Sequence, residues 1–239
     1  MRRKKEKTEK ERKPKERKPL VISLGGSVIV PSDVDYVFLK KFKKLVLEEA
    51  KKRKVVICTG GGKTARNYIE ALGKVRASNY EKDSIGIAAT RLNATLLSFF
   101  LGLHGDISLS LKEVKKCLKK NNIVICGGIR PGVTTDGITA EIAKALHASM
   151  LVNITNVKGL YDKNPVKYKD AKLIRKISYK GFTKMLRKVK EKPGQHFVLD
   201  SYCTDIIQKE KIIAVILGKN IANIEKFLKG KRFVGTTIS

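Results

Sequence analysis

Three glycine clusters hold the residues best suited to chemistry in this 239-residue chain. They read Leu24-Gly25-Gly26-Ser27, Gly60-Gly61-Gly62-Lys63-Thr64-Ala65-Arg66, and Gly127-Gly128-Ile129-Arg130-Pro131-Gly132-Val133-Thr134-Thr135-Asp136. Glycine lets a ligand approach the main chain, and successive N–H groups can line an anion-binding nest. A helix that follows such a turn aims its positive end at the same spot. Lys63, Arg66 and Arg130 add cations, so the chemistry these residue types suit is the holding of several phosphates. The second cluster is not a P-loop, because Ile57 stands where the first glycine of that motif belongs. No cluster reads G-x-G-x-x-G, which excludes the dinucleotide fingerprint.

The elements that must position these turns are legible as an alternation. Each cluster follows a run rich in Val and Ile (21–24, 54–58, 122–126), the pattern of strands buried on both faces. Helical periodicity predicts helices over 36–53, 64–72, 84–101, 111–120, 137–148, 179–190, 200–209 and 222–228. Further strands are predicted at 150–154, 212–217 and the closing Gly235-Thr236-Thr237-Ile238. Alternating strands and helices predict an α/β fold, a three-layer α/β/α sandwich around a mainly parallel twisted sheet. Ligands in such sheets bind beyond the carboxyl ends of the strands, where all three clusters fall. Residues 1–18 form a basic, apolar-poor tail expected to be disordered, and residues 19–239 one domain.

Composition narrows the classes. The formal net charge is +30, with 52 Lys and Arg against 22 Asp and Glu. That balance suits polyanion partners, and non-specific nucleic-acid binding through the tail is one reading. Lysines spread over nearly every helix, with no nucleic-acid-binding motif, also fit a general surface bias. Four scattered cysteines (58, 117, 126, 203) without a C-x-x-C pair predict free thiols and a cytoplasmic, reducing setting. The longest apolar run, 94–103, is too short to cross a membrane, and no secretory signal is visible.

Six segments taken together resemble the amino-acid kinase family, in its archaeal UMP kinase branch, from about Pro19 to the C-terminus. They are residues 24–28, 60–69, Ile85–Ala94 with its Thr90-Arg91-Leu92-Asn93, 131–136, 154–161 and 235–238. The resemblance implies phosphoryl transfer from ATP, carried with Mg²⁺, to UMP. It assigns Gly26, Ser27, Gly62, Arg66, Thr155, Asn156, Tyr161 and Asn164 to the ATP side. Gly61, Asp83 (toward the nucleoside sugar) and the loop Ile129, Arg130, Pro131, Gly132, Val133, Thr134 and Thr135 fall on the UMP side. Arg66 and Lys63 are the cations expected to act on the transferred group. A homohexamer is implied, with the apolar helix 85–101 as a contact. Asp136 is expected to cap a helix or support the phosphate loop, and Asp200 to cap its own helix.

Four positions depart from the family pattern. Ser23 replaces a lysine common in relatives, Lys158 and Asn164 replace aspartates beside the ATP nucleoside pocket, and Asp205 stands where a basic residue is usual. These departures leave open a different small-molecule kinase, or a nucleotide-binding relative without catalysis.

Overall fold

The computed structural model describes residues 17–190 and 199–239; the expectation of a disordered tail therefore lies, but for its last two residues, outside the described residues. Seven strands form one sheet in the order β3-β2-β1-β4-β6-β7-β5. Five consecutive strands, β3 (Ile123–Cys126) at one edge, then β2 (Val55–Thr59), β1 (Leu20–Leu24), β4 (Met150–Thr155) and β6 (Ile213–Gly218), are mutually parallel. β7 (Gly235–Ile238) runs antiparallel to β6, and the two-residue β5 (Lys176–Ile177) pairs with β7 at the edge.

Strand periodicity sorts the core into two layers. On β1, Leu20, Ile22 and Leu24 face one side and Val21 the other. The first layer joins α2 (Tyr36–Ala50), α4 (Asn79–Leu101) and α9 (Ile221–Leu228) through Phe38, Phe42, Leu97 and Ile224. The second joins α5 (Leu111–Lys120), α6 (Thr135–Ala145), α7 (Tyr179–Lys190) and α8 (Ser201–Lys209) through Leu118, Ile138, Phe182 and Ile207. Each fully buried Leu, Ile or Phe contributes about 1.5–3 kcal/mol relative to exposure. The α/β sandwich expected from the alternation is thus the fold observed.

The differences are local. A single turn of helix, α1 (Gly26–Ile29), starts inside the first glycine cluster. Helix α4 begins five residues earlier than expected, at a capping box in which Ser78 and Glu81 satisfy each other's backbone N–H groups. It is also long and apolar enough to pass as a membrane span by length and composition, unlike the 94–103 run. In the fold, however, its Ala94, Leu97 and Leu101 are buried in the first core layer.

The first two glycine turns are in backbone contact. A Cβ on Gly26 would lie 1.9 Å from the Gly62 nitrogen, and one on Gly60 would lie 2.5 Å from the Gly26 nitrogen. Gly62, at φ +64°, starts α3 (Gly62–Lys74). The Gly60 N–H donates to the Leu24 carbonyl at 2.9 Å and the Lys63 N–H to the Val30 carbonyl at 3.0 Å. Gly26→Ala is therefore expected to lower stability by at least about 1–3 kcal/mol in urea unfolding. Gly73→Ala, in the same α3 with open space around its Cα, should raise it by about 0.5–1 kcal/mol. Equal effects at the two sites would refute the interlock.

Candidate active site

The carboxyl ends of β1, β2 and β4 bring two glycine-capped helix starts together. Gly25 caps α1 and Gly61 caps α3, and neither helix has a side-chain cap. Their first-turn N–H groups suit an anion. The Gly25 N–H donates to the Ile154 carbonyl at 2.8 Å, tying the first turn to the end of β4, where Thr155 and Asn156 follow. Lys63 and Arg66 are exposed on the first turns of α3, three residues apart and so on neighbouring positions of one helix surface.

The third cluster is held to the same place by α4. The Thr59 hydroxyl donates to the Thr90 carbonyl at 2.8 Å, and Thr90 Oγ1 accepts from the Gly128 N–H at 2.6 Å. Arg91 donates from Nε to the Gly128 carbonyl at 3.1 Å and from Nη2 to the Ile129 carbonyl at 3.3 Å. Asn93 donates to the Gly60 carbonyl at 2.7 Å. Gly127 has no room for a Cβ, which would sit 2.7 Å from Thr90 Oγ1 and 2.8 Å from the Arg91 nitrogen. One helix thus clamps the second and third glycine turns, through a segment that the sequence marks only by family resemblance.

Farther along the third loop, Asp83 on α4 accepts from the Gly132 N–H at 2.8 Å. The carboxylate expected to meet a sugar therefore also braces the loop. Arg130 forms a two-pronged ion pair with Glu141, one bond being 2.9 Å from Nη1, and the Tyr202 hydroxyl donates to the same carboxylate at 2.6 Å. Burial pushes the Glu141 carboxyl up, but the bonds from Arg130 and Tyr202 outweigh it and hold it below its usual range. The Tyr202 ring and Val133 close over Gly137, where a Cβ would meet each at 2.9 Å. This Arg130-Glu141-Tyr202 bridge joins loop, α6 and α8, and sequence reasoning missed it.

Asp136 does not cap α6; the Thr134 hydroxyl does, accepting from the Gly137 N–H at 3.1 Å. Asp136 instead points into the floor of the site, where its Oδ1 accepts from the Ser23 hydroxyl at 2.7 Å and from the Asn153 amide at 2.8 Å. Burial pushes its carboxyl up to about 6; the Ser23 hydrogen bond opposes this, and the Asp200 charge reinforces it. Asp200 caps α8 as expected, accepting from the Cys203 N–H at 2.7 Å, and also accepts from the Thr134 hydroxyl. Ser23 thus answers the Asp136 carboxyl with a neutral hydrogen bond. Asp205 is exposed.

The residues expected on the nucleoside side of ATP are less closely gathered. Thr155 ends β4 opposite Gly218, with Asn156 beside it. Tyr161 forms an isolated bridge with Leu173. Asn164 uses its side-chain oxygen in its own turn, accepting from the Val166 N–H at 2.9 Å. All four cysteines are free.

The raised Asp136 carboxyl fixes the sign of a pH effect. Between about pH 4 and 6 the folded protein keeps a proton that the unfolded chain has released, so ionising Asp136 costs stability as pH rises through that window. Asp136→Asn is expected to match the wild type below pH 4, then gain on it up to about pH 6, with a constant advantage above. Urea midpoints measured across that range check this; an advantage independent of pH would contradict it.

Comparison with known proteins places the fold in a family. The amino acid kinase family matches residues 18–218. The uridylate kinase of Thermoplasma acidophilum is 36% identical over 220 residues, covering 92% of this chain and 96% of that protein. That of Pyrococcus abyssi is 36% identical over 222 residues, covering 92% and 98%. The crystal structure of the Archaeoglobus fulgidus uridylate kinase superposes with a TM-score of 0.82 at 32% identity, covering 93% of this chain and all of that one. The Ureaplasma parvum UMP kinase, at 21% identity and a TM-score of 0.76, shares the fold. The chain belongs to the amino acid kinase family, among relatives that include the archaeal uridylate kinases.

Proposed function

We propose that this chain transfers the γ-phosphoryl group of ATP, entering with its Mg²⁺, to UMP, giving ADP and UDP. The observation that carries this reading is the joining of three glycine turns by backbone contact and by α4. Two helix starts without side-chain caps thereby lie beside a loop braced by Asp83 and Arg91. The acceptor phosphate is already an anion, so no general base is needed. The work is in-line positioning and charge cancellation. Gly26, Ser27 and Gly62 hold the donor phosphates through backbone N–H groups. Gly61 and residues 129–135 hold the acceptor. Arg66, with its planar fork, and Lys63 supply the cations that Ser23 cannot. Thr155, Asn156 and Tyr161 form the side toward the donor's nucleoside. Such an enzyme serves pyrimidine nucleotide supply in the cytoplasm.

We further propose that the chain works as a homo-oligomer, a homohexamer by analogy with the family. Leu92 and Phe99 on α4 are 61% and 62% exposed, and a groove of about 150 Å³ runs between α3 and α4 beside Tyr68. Such an apolar strip suits a second copy of the chain.

A coupled assay with ATP and each nucleoside monophosphate tests the reaction. UMP should be the preferred acceptor; ATP binding without turnover of any acceptor would point instead to a non-catalytic binder. Arg66→Ala is expected to lower kcat by about 10²–10³, the range for losing one charge-stabilising donor. Tyr202→Phe, which keeps the ring over Gly137 but removes the bond to Glu141, should raise the KM for UMP severalfold and leave kcat within about twofold. For the assembly, Leu92→Glu with Phe99→Glu should sediment as a smaller species than the wild type.

A further inference from the structure

The excess positive charge is not evenly placed with respect to the sheet. Because β1, β2, β3, β4 and β6 are all parallel, the chain enters each of them at the same edge, opposite the glycine turns. The stretches leading into them are 17–19, 51–54, 119–122, 144–149 and 209–212. Together they carry eleven Lys and Arg and one acid, Glu210, with Glu48 and Glu49 just before, in α2. Lys51 pairs with Glu48, Lys52 and Arg53 with Glu49, and Lys144 with Glu210, and the three acids leave the edge strongly positive. All four residues from 51 to 54 are basic, and Lys119, Lys120, Lys209 and Lys211 are exposed. A bond of 2.6 Å from Lys54 Nζ to the Leu118 carbonyl draws the 51–54 turn against the end of α5. At the glycine turns the charges are more nearly balanced: Lys63, Arg66, Arg91, Arg130 and Lys158 stand among Asp83, Asp136, Glu141 and Asp200, and Glu141 is ion-paired to Arg130. A uniform surface bias does not produce that contrast.

We propose that this amino-terminal edge of the sheet binds the phosphate backbone of double-helical nucleic acid, without reading its sequence. Five strands spaced about 4.8 Å apart make a row of about 19 Å. A duplex carries one phosphate charge per about 1.7 Å of axis with both strands counted, so a length of about 19 Å holds about eleven, of which roughly half face the row. None of the exposed large hydrophobic side chains lies on these stretches. The edge offers one imidazole, the exposed His147, but no Phe, Tyr or Trp ring for successive unpaired bases to stack on and no exposed large apolar side chain to insert into a lipid surface, which favours a duplex over both. The other lysine-rich stretch, 156–175, differs in kind: it is one irregular segment with exposed Val166 and Tyr168 among its charges. Residues 1–16, nine Lys and Arg against four Glu, join the chain at this same edge, before Arg17.

The test uses the full chain and a fluorescent 24-base-pair DNA duplex of mixed sequence, with anisotropy read at several salt concentrations. The wild type should bind with a steep salt dependence and bind a single strand of equal length more weakly. The variant Lys51→Gln, Lys52→Gln, Lys119→Gln, Lys120→Gln should bind at least about tenfold more weakly. Its log–log salt slope should be smaller by about 3–4, at about 0.9 for each phosphate no longer neutralised. The double variant Lys119→Gln, Lys120→Gln should fall between. A control with the same charge change, Lys167→Gln, Lys169→Gln, Lys172→Gln, Lys180→Gln, should bind like the wild type, and saturating ATP with UMP should not displace the duplex. Equal losses in the two fourfold variants, no loss in either, displacement by the nucleotides, or binding to phosphatidylserine vesicles but not to the duplex would each overturn the proposal.

Discussion

The site depends on main chain lying against main chain. Gly26 and Gly60–Gly62 approach so closely that neither turn leaves space for a side chain, and the bonds from Gly60 to Leu24 and from Lys63 to Val30 lock the approach. Two helix starts are thereby fixed relative to each other by the sheet itself rather than by mobile side chains. Preorganisation of this kind is what phosphoryl transfer needs, because reacting groups a fraction of an ångström from their best placement react far more slowly. The cost is a backbone arrangement open to glycine alone at these positions.

Helix α4 extends that rigidity to the third turn. Thr90, Arg91 and Asn93 use their side chains to bind carbonyls and an N–H from two different loops. Arg91 is consequently a structural cation: its guanidinium serves loop carbonyls. Arg130 is likewise bound to a carboxylate, and Ser23 is neutral. Of the basic residues around the turns, Lys63 and Arg66 are the two whose exposed position on α3 suits a phosphate.

Much of this is legible in the chain itself. Unbroken Val and Ile runs mark the parallel strands because such strands are buried on both faces, and glycines at their ends mark the turns. The early start of α4 is legible too, in Ser78 and Glu81, but the apolar period that begins later draws attention away. Other features lie beyond sequence reasoning. The antiparallel course of β7 and the two-residue β5 are decided by which edge is left unpaired. The Arg130-Glu141-Tyr202 bridge joins residues 11 and 61 positions apart, with no local pattern to announce it. Asp136 sits where a helix cap is plausible, yet Thr134 takes that role and the acid turns inward to Ser23.

The exposed cations on α3 also have a kinetic meaning. On a chain of net charge +30, a positive mouth hastens the arrival of anionic nucleotides, and the gain shrinks as salt rises. The same field slows departure. A nucleoside diphosphate that has just gained a charge feels that pull most, so salt that weakens capture also eases release.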